Sequence, residues 1–313
     1  MPDFKLGGGC LVEAVSACFP NSASDSELAR SAQLMEYEFF RKQSENIIKK
    51  QSNYTNFGVS TSHLSKKLKF YMCPAVLIES ESFIGPHLTS LSDNRNVKSV
   101  RQILNQNPDW PRQSVNHENM LKNREWISGF KKLNDLGTLS FEIHLNPHQF
   151  IDMAEVVRDH GQNISSYIIN HLGTLTLSDL SLEDISNESE VYKKRIQAYF
   201  ENLQVLKNSH PKIFVKMSYL HYFHENWHVE PVYSKLGEIL KRVFEMFGKD
   251  KMIYASNFPL DRWSRDLVER KTVDWMIENY VKILREFVFV DKTEVWTDLD
   301  YFFGKNGRVA YRV

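Results

Sequence analysis

Short apolar runs of strand length recur along the chain, at 10–15, 69–77, 97–104, 138–145, 166–171, 212–220 and 251–257. Between them lie stretches of helical periodicity, among them 25–50, 190–208, 233–247 and 268–287. In the third of these, Leu236, Ile239, Leu240, Val243, Phe244 and Phe247 recur at helical intervals and mark one buried face. Strands alternating with helices in this way predict an α/β fold with a parallel sheet, open or closed. Polar residues within several strands share one parity: Ser99 with Arg101, Ser140 with Glu142 and His144, and Lys216 with Ser218. Side chains alternate across a strand, so each set points to one side. Parallel strands buried on both faces read as continuous apolar runs. A polar parity therefore predicts a lumen, and a closed barrel explains it better than an open sheet.

Internal repeats, low-complexity tracts and Pro/Gly-rich linkers are absent, which predicts a single domain over residues 1–313. The connection 21–67 is long, and its polar half predicts an exposed insertion around 51–67.

Composition narrows the function classes. Lys and Arg total 39 against 39 Asp and Glu, so no global field would recruit nucleic acid or an anionic membrane. A small-molecule substrate is the expected partner, and the oligomeric state is left open. Cys10, Cys18 and Cys73 are too scattered for a disulfide framework or a four-ligand zinc site and fit a reducing compartment. No run approaches the roughly 18 apolar residues of a membrane span. Residues 1–10 carry neither region of a signal peptide, so a cytoplasmic location is expected.

Four constellations could carry chemistry. "YIINHLG" puts His171 at a strand end before a glycine turn, which in a barrel is the catalytic face. An imidazole there could ligate metal, polarise a carbonyl, or simply pack and cap. "IFVKMSYL" puts Lys216 and Ser218 on one face of an otherwise apolar strand. A buried ammonium needs a partner, either a substrate carboxylate or a structural ion pair with Glu142 or Glu13. "KSVRQILN" sets Arg101 mid-strand, where a guanidinium could grip a carboxylate or lactone oxygen or form an internal salt bridge. "HYFHENWH" spaces His221, His224 and His228 as if on one helical face, which suits a loop shaping the site better than a metal cluster. No G-x-S-x-G elbow, Walker loop or G-x-G-x-x-G after a strand occurs.

Taken in order, "CLVEA", "VKSVRQILN", "WISGFKKLNDLGTLSFEIHLNPHQF", "YIINHLG", "IFVKMSYL", "FGKDKMIYASNFPLD" and "FFGKNGRVAYR" resemble the amidohydrolase-related barrels of the 2-pyrone-4,6-dicarboxylate lactonase and L-fuconolactonase type. The resemblance spans nearly the whole chain. It implies a (β/α)8 TIM-barrel-like fold of the metal-dependent hydrolase superfamily that opens a lactone or related C–O or C–N bond by adding water. By the same resemblance His171 matches the histidine after the sixth strand, Arg101 the substrate-contacting arginine strand, and Asn257 the acidic position after the eighth.

Two departures bear on activity. The family's first strand carries Asp-x-His-x-His, and no His-x-His occurs in this sequence. The chain thus reads as starting at strand two, and zinc or another divalent metal is expected only if such a segment stands upstream; no residue is assigned as a metal ligand. A barrel lacking that strand is expected to be poorly soluble or completed by another segment or subunit. The second departure is Asn257, whose amide cannot take a proton from water as a carboxylate can. Asp261, four residues on, could supply the carboxylate or cap a helix, with Glu142 and Glu13 as further bases. The expected site comprises His171, Asn257 and Asp261 for catalysis and Arg101, Glu142, Lys216 and Ser218 for substrate. The expected activity is lactonase-like hydrolysis. The alternatives are a catalytically impaired barrel acting in binding only, and a decarboxylase of the same superfamily.

Overall fold

A computed structural model describes residues 8–12, 69–79, 84–106, 119–255, 273–289 and 301–313. Asn257, Asp261, Glu13, the helical stretch 25–50 and the insertion expected at 51–67 lie outside the described residues.

Each of the seven apolar runs holds a strand or overlaps one: β1 (Gly8–Val12), β2 (Lys69–Cys73), β3 (Ser99–Ile103), β4 (Ser140–His144), β5 (Tyr167–Ile169), β6 (Ile213–Met217) and β7 (Met252–Tyr254). Where the flanks are described, as at Val97, Leu104, Leu139 and Leu145, the apolar residues beyond the strands are also buried. β1 and β2 pair in parallel, and β3 to β7 form a parallel sheet in chain order. Single parallel bridges from Met72 to Val97 and from Ala75 to Arg101 tie the two sets together. A sheet whose strands neighbour one another in chain order, each followed by a crossover, is the barrel arrangement.

The helices cover the outer face. They include α1 (Ile84–Asp93), α2 (Arg124–Leu136), α3 (Phe150–His160), α4 (Glu190–Lys207), α5 (Val232–Phe247) and α6 (Val273–Ile283), the last continuing into a π-turn at Leu284–Val288. α2 shows how local sequence sets an element. The Asn123 side chain accepts from the Trp126 backbone N–H at 3.0 Å as N-cap, and Gly137 ends the helix at φ 64. Between those ends Trp126, Phe130 and Leu133 are fully buried, and Trp126 and Phe130 stack at 5.0 Å over the outward-facing Phe141 of β4. Gly129 lets α2 approach so closely that a Cβ there would lie 1.9 Å from the Ile78 carbonyl oxygen.

The inner face carries the other parity. Ile168, Phe214 and Ile253 form a second cluster with Ala310 and Tyr311 of the C-terminal segment, separate from the outer core. That segment begins with α7 (Asn306–Ala310) and covers the N-terminal end of the sheet. The Asn306 amide donates to the carbonyls of Lys249 and Met252, and the hydroxyls of Ser140 and Ser166 both reach the Ala310 carbonyl. Arg312 donates to the Ser165 hydroxyl at 2.7 Å. One end of the strands is thereby floored by backbone, and the chemistry gathers at the other. No helix among the described residues is long and apolar enough to cross a membrane.

Candidate active site

Strands β3 to β6, from their middles to the residues just past their C-terminal ends, bring Arg101, Glu142, His144, His171, Lys216 and Ser218 together. In register, Arg101 stands opposite Glu142, and Glu142 opposite Ile168. The Lys216 ammonium reaches past β5 to donate to Glu142 at 2.8 Å, with the lysine side chain 5% and the carboxylate 0% exposed. Of the partners expected for a buried Lys216, a substrate carboxylate or a structural ion pair with Glu142 or Glu13, the ion pair with Glu142 forms. The other Glu142 oxygen accepts from the Tyr311 hydroxyl, so both oxygens are engaged. Burial pushes the Glu142 pKa up, but the Lys216 and Arg101 charges and the hydrogen bonds from Lys216 and Tyr311 outweigh it and hold the group below its ordinary range.

Above this layer the His171 Nδ1 hydrogen-bonds the Ser218 hydroxyl at 2.8 Å. The His171 ring meets His144 edge-on at 5.2 Å and Tyr219 at 5.5 Å. Burial, then the positive charge of Arg101, drives His144 down to about 3. Burial, His144 and the charges of Arg101 and Lys216 hold His171 well below the usual imidazole range. Both rings are neutral at physiological pH, able to donate from one nitrogen and accept at the other.

The backbone that presents His171 is strained. His171, Leu172, Gly173 and Thr174 have φ of 51, 52, 74 and 53°, and Tyr219, one residue after Ser218, has φ 51°. Non-glycine residues there cost roughly 1–2 kcal/mol each. The turn is pinned from three sides: Thr174 donates to the Leu145 carbonyl at 2.6 Å, Tyr199 to the Leu172 carbonyl at 2.8 Å, and the Gly173 N–H to the Asn170 carbonyl at 2.8 Å. Gly173 is required, since a Cβ would meet Phe150 at 2.3 Å. Backbone strain and paired titratable groups both cluster at functional sites.

Three buried polar atoms at the same end have no hydrogen-bond partner among the described residues: Asn105 Oδ1, His144 Nδ1 and Asn170 Nδ2. They follow or end β3, β4 and β5 in turn and can meet a ligand's polar groups. His144 and Asn170 were within reach of the sequence, because both continue the polar parity of their strands. Tyr311 was not, since its place depends on the C-terminal segment folding under the sheet. The helical face inferred for His221, His224 and His228 does not form: the turn Leu220–Phe223 holds only His221, and His224 is extended at φ −165°. His224 instead accepts from the Asn226 N–H at 3.0 Å, and His228 packs edge-on to Trp275 at 5.0 Å. A cleft of about 360 Å³ lined by Lys207, His210, Phe247 and Lys251 lies at the opposite end of β6 and holds none of these groups.

A divalent metal does not fit the described residues. Nowhere among them do three His, Cys, Asp or Glu side chains converge as ligands. At the His144–His171 pair the single carboxylate is committed to Lys216 and Tyr311, and the Arg101 and Lys216 charges act on both rings, where a dication would be repelled.

No family model matches the chain. The uncharacterized protein y4mH of Sinorhizobium fredii is 25% identical over 193 residues, 60% of this chain; the chain spans 58% of the length of that curated relative. An amidohydrolase from Burkholderia multivorans with bound HEPES superposes with a TM-score of 0.57 at 11% identity, over 84% of this chain and 80% of that one. A second structure of a Burkholderia multivorans amidohydrolase, with zinc bound, gives the same values. A probable 2-pyrone-4,6-dicarboxylic acid hydrolase from Acinetobacter baumannii, with citric acid bound, superposes with a TM-score of 0.56 at 12% identity, over 98% of this chain and 84% of that one. With the sheet order, these likenesses show that the chain has the fold of the amidohydrolase TIM barrels.

Proposed function

We propose that the chain is a hydrolase that adds water to a small lactone-like substrate, or a related C–O or C–N bond, carrying a carboxylate. The observation that carries this reading is a neutral His171, held in a strained turn, beside a lumen where Arg101 and Lys216 act on Glu142, the one carboxylate there among the described residues. The excess of positive charge that Arg101 and Lys216 give over Glu142 among the described residues favours an anionic ligand. The likeness in fold to a 2-pyrone-4,6-dicarboxylic acid hydrolase supports the same substrate chemistry.

Ser218 donates its hydroxyl proton to His171 Nδ1 in this scheme, which leaves Nε2–H to hydrogen-bond the substrate carbonyl. Arg101 and the free donors of Lys216 hold the substrate carboxylate, and Glu142, both oxygens occupied, is assigned to holding Lys216. Asp261 takes a proton from water while the Asn257 amide orients that water. Hydroxide adds to the carbonyl carbon, the ring C–O bond breaks, and the proton on Asp261 passes to the leaving oxygen. The product is a hydroxy acid. His144 and Asn170 offer their unpaired atoms to the remaining polar groups of the ring.

The test compares a carboxylated lactone with its methyl ester across wild type, Arg101→Met and Asp261→Asn. Wild type is expected to favour the acid, Arg101→Met to lose that preference, and Asp261→Asn to lower kcat by about 100-fold or more with KM kept. Equal rates on acid and ester in wild type, or an Asp261→Asn enzyme as fast as wild type, would overturn the reading. Binding of the acid without any turnover would favour a barrel that acts in binding only.

A further inference from the structure

The C-terminal segment does more than floor the sheet. Its anchoring is complete without Tyr311: Asn306 is tied to Lys249 and Met252, Ala310 to Ser140 and Ser166, and Arg312 to Ser165. Tyr311 is nonetheless 5% exposed and turned into the lumen, inside an apolar sleeve of Ile168, Phe214 and Ile253. There it touches both members of the buried pair. Its hydroxyl donates to Glu142 Oε1, and its ring faces the Lys216 ammonium, 5.4 Å from the ring centre. In so apolar a surround a hydrogen bond to a carboxylate and a cation over a ring are both strengthened.

We propose that Tyr311 is a positioning residue of the active site: reaching in from the floor of the barrel, it fixes Glu142 and Lys216 as a charged, oriented pair, so that the remaining Lys216 donors point to the substrate carboxylate. This rests on the reading of the lumen as a carboxylate site. The Tyr311 hydroxyl occupies the Glu142 oxygen that would otherwise chelate the ammonium. Without it the carboxylate can turn and take a second Lys216 donor away from the ligand.

Two variants divide the contributions. Tyr311→Phe keeps the ring against Lys216 and removes only the hydroxyl; Tyr311→Leu removes both. Calorimetry with the carboxylated lactone and its methyl ester is expected to show about tenfold weaker binding of the acid by Tyr311→Phe, a larger loss for Tyr311→Leu, and ester affinity within about twofold of wild type. Equal losses for acid and ester, or none, would overturn the proposal. If wild type binds neither lactone, the lumen reading fails while the positioning role is still decided by the free protein. The Lys216 ammonium 15N–1H resonance should be sharp in wild type and broadened in Tyr311→Phe. An unchanged resonance would rule the role out.

Discussion

His144 and His171 are neutral because burial and the nearby cations make protonation unfavourable, and that has a consequence for stability. In the unfolded chain both rings take up a proton near pH 6.5, whereas the folded rings do not until far lower, about 3 for His144. Below pH 6.5 the unfolded state therefore binds more protons, and stability falls as pH falls. Each ring contributes a slope of about 1.4 kcal/mol per pH unit across that window. Glu142 adds loss of the same sign further down, as pH falls below its unfolded value of 4.5 towards its depressed folded one. Urea melts at pH 7, 6 and 5 should show this decline, and His144→Gln should reduce its slope by about one proton. A stability that is flat over this range would contradict the neutral assignment. Part of this chemistry was readable beforehand: a lysine amid apolar residues demanded a carboxylate, and Glu142 supplied it. The neighbour that completes the pair, Tyr311, lies 169 residues from Glu142 in the chain and carries no local signal.

Among the elements, α2 is the one whose packing depends most on a single position. Gly129 faces the Ile78 backbone, and an added Cβ would sit 1.9 Å from its carbonyl oxygen, a contact with no flexible atom to yield. Gly129→Ala should destabilise the protein by roughly 1–3 kcal/mol. Gly85→Ala, where the Cβ would meet only Lys132 Cδ at 3.6 Å, should change stability by less than about 0.5 kcal/mol. Thermal melts of the two variants check the contrast, and similar Tm values would contradict the close approach of α2. The periodic helices were legible because burial of one face enforces the period: 190–208 became α4 and 233–247 became α5, each within a residue at either end. Spacing misled at His221, His224 and His228. Three- and four-residue intervals indicate a shared face only inside a continuous helix, and the one there stops at Phe223.

For the molecule as a whole, the alternation of apolar runs was enough to expect seven parallel strands, and the single parity of their polar residues was enough to expect a lumen. Both follow from geometry that any parallel sheet must obey. What the sequence withheld was the third partner, because Tyr311 meets the Glu142–Lys216 pair only once the C-terminal segment has folded under the sheet. The whole-chain balance of charge likewise hid a local excess of cations among the described residues. On that arrangement rests the proposed role of neutral His171, which is to polarise the carbonyl of an anionic lactone. The most direct measurement is the rate of ring opening of a carboxylated lactone by wild type and by His171→Asn, with both shown to be folded by their melts. Wild type is expected to turn the lactone over measurably and His171→Asn about 100-fold or more slowly, the usual cost of losing a donor to a developing oxyanion. Equal rates in the two proteins would contradict that role.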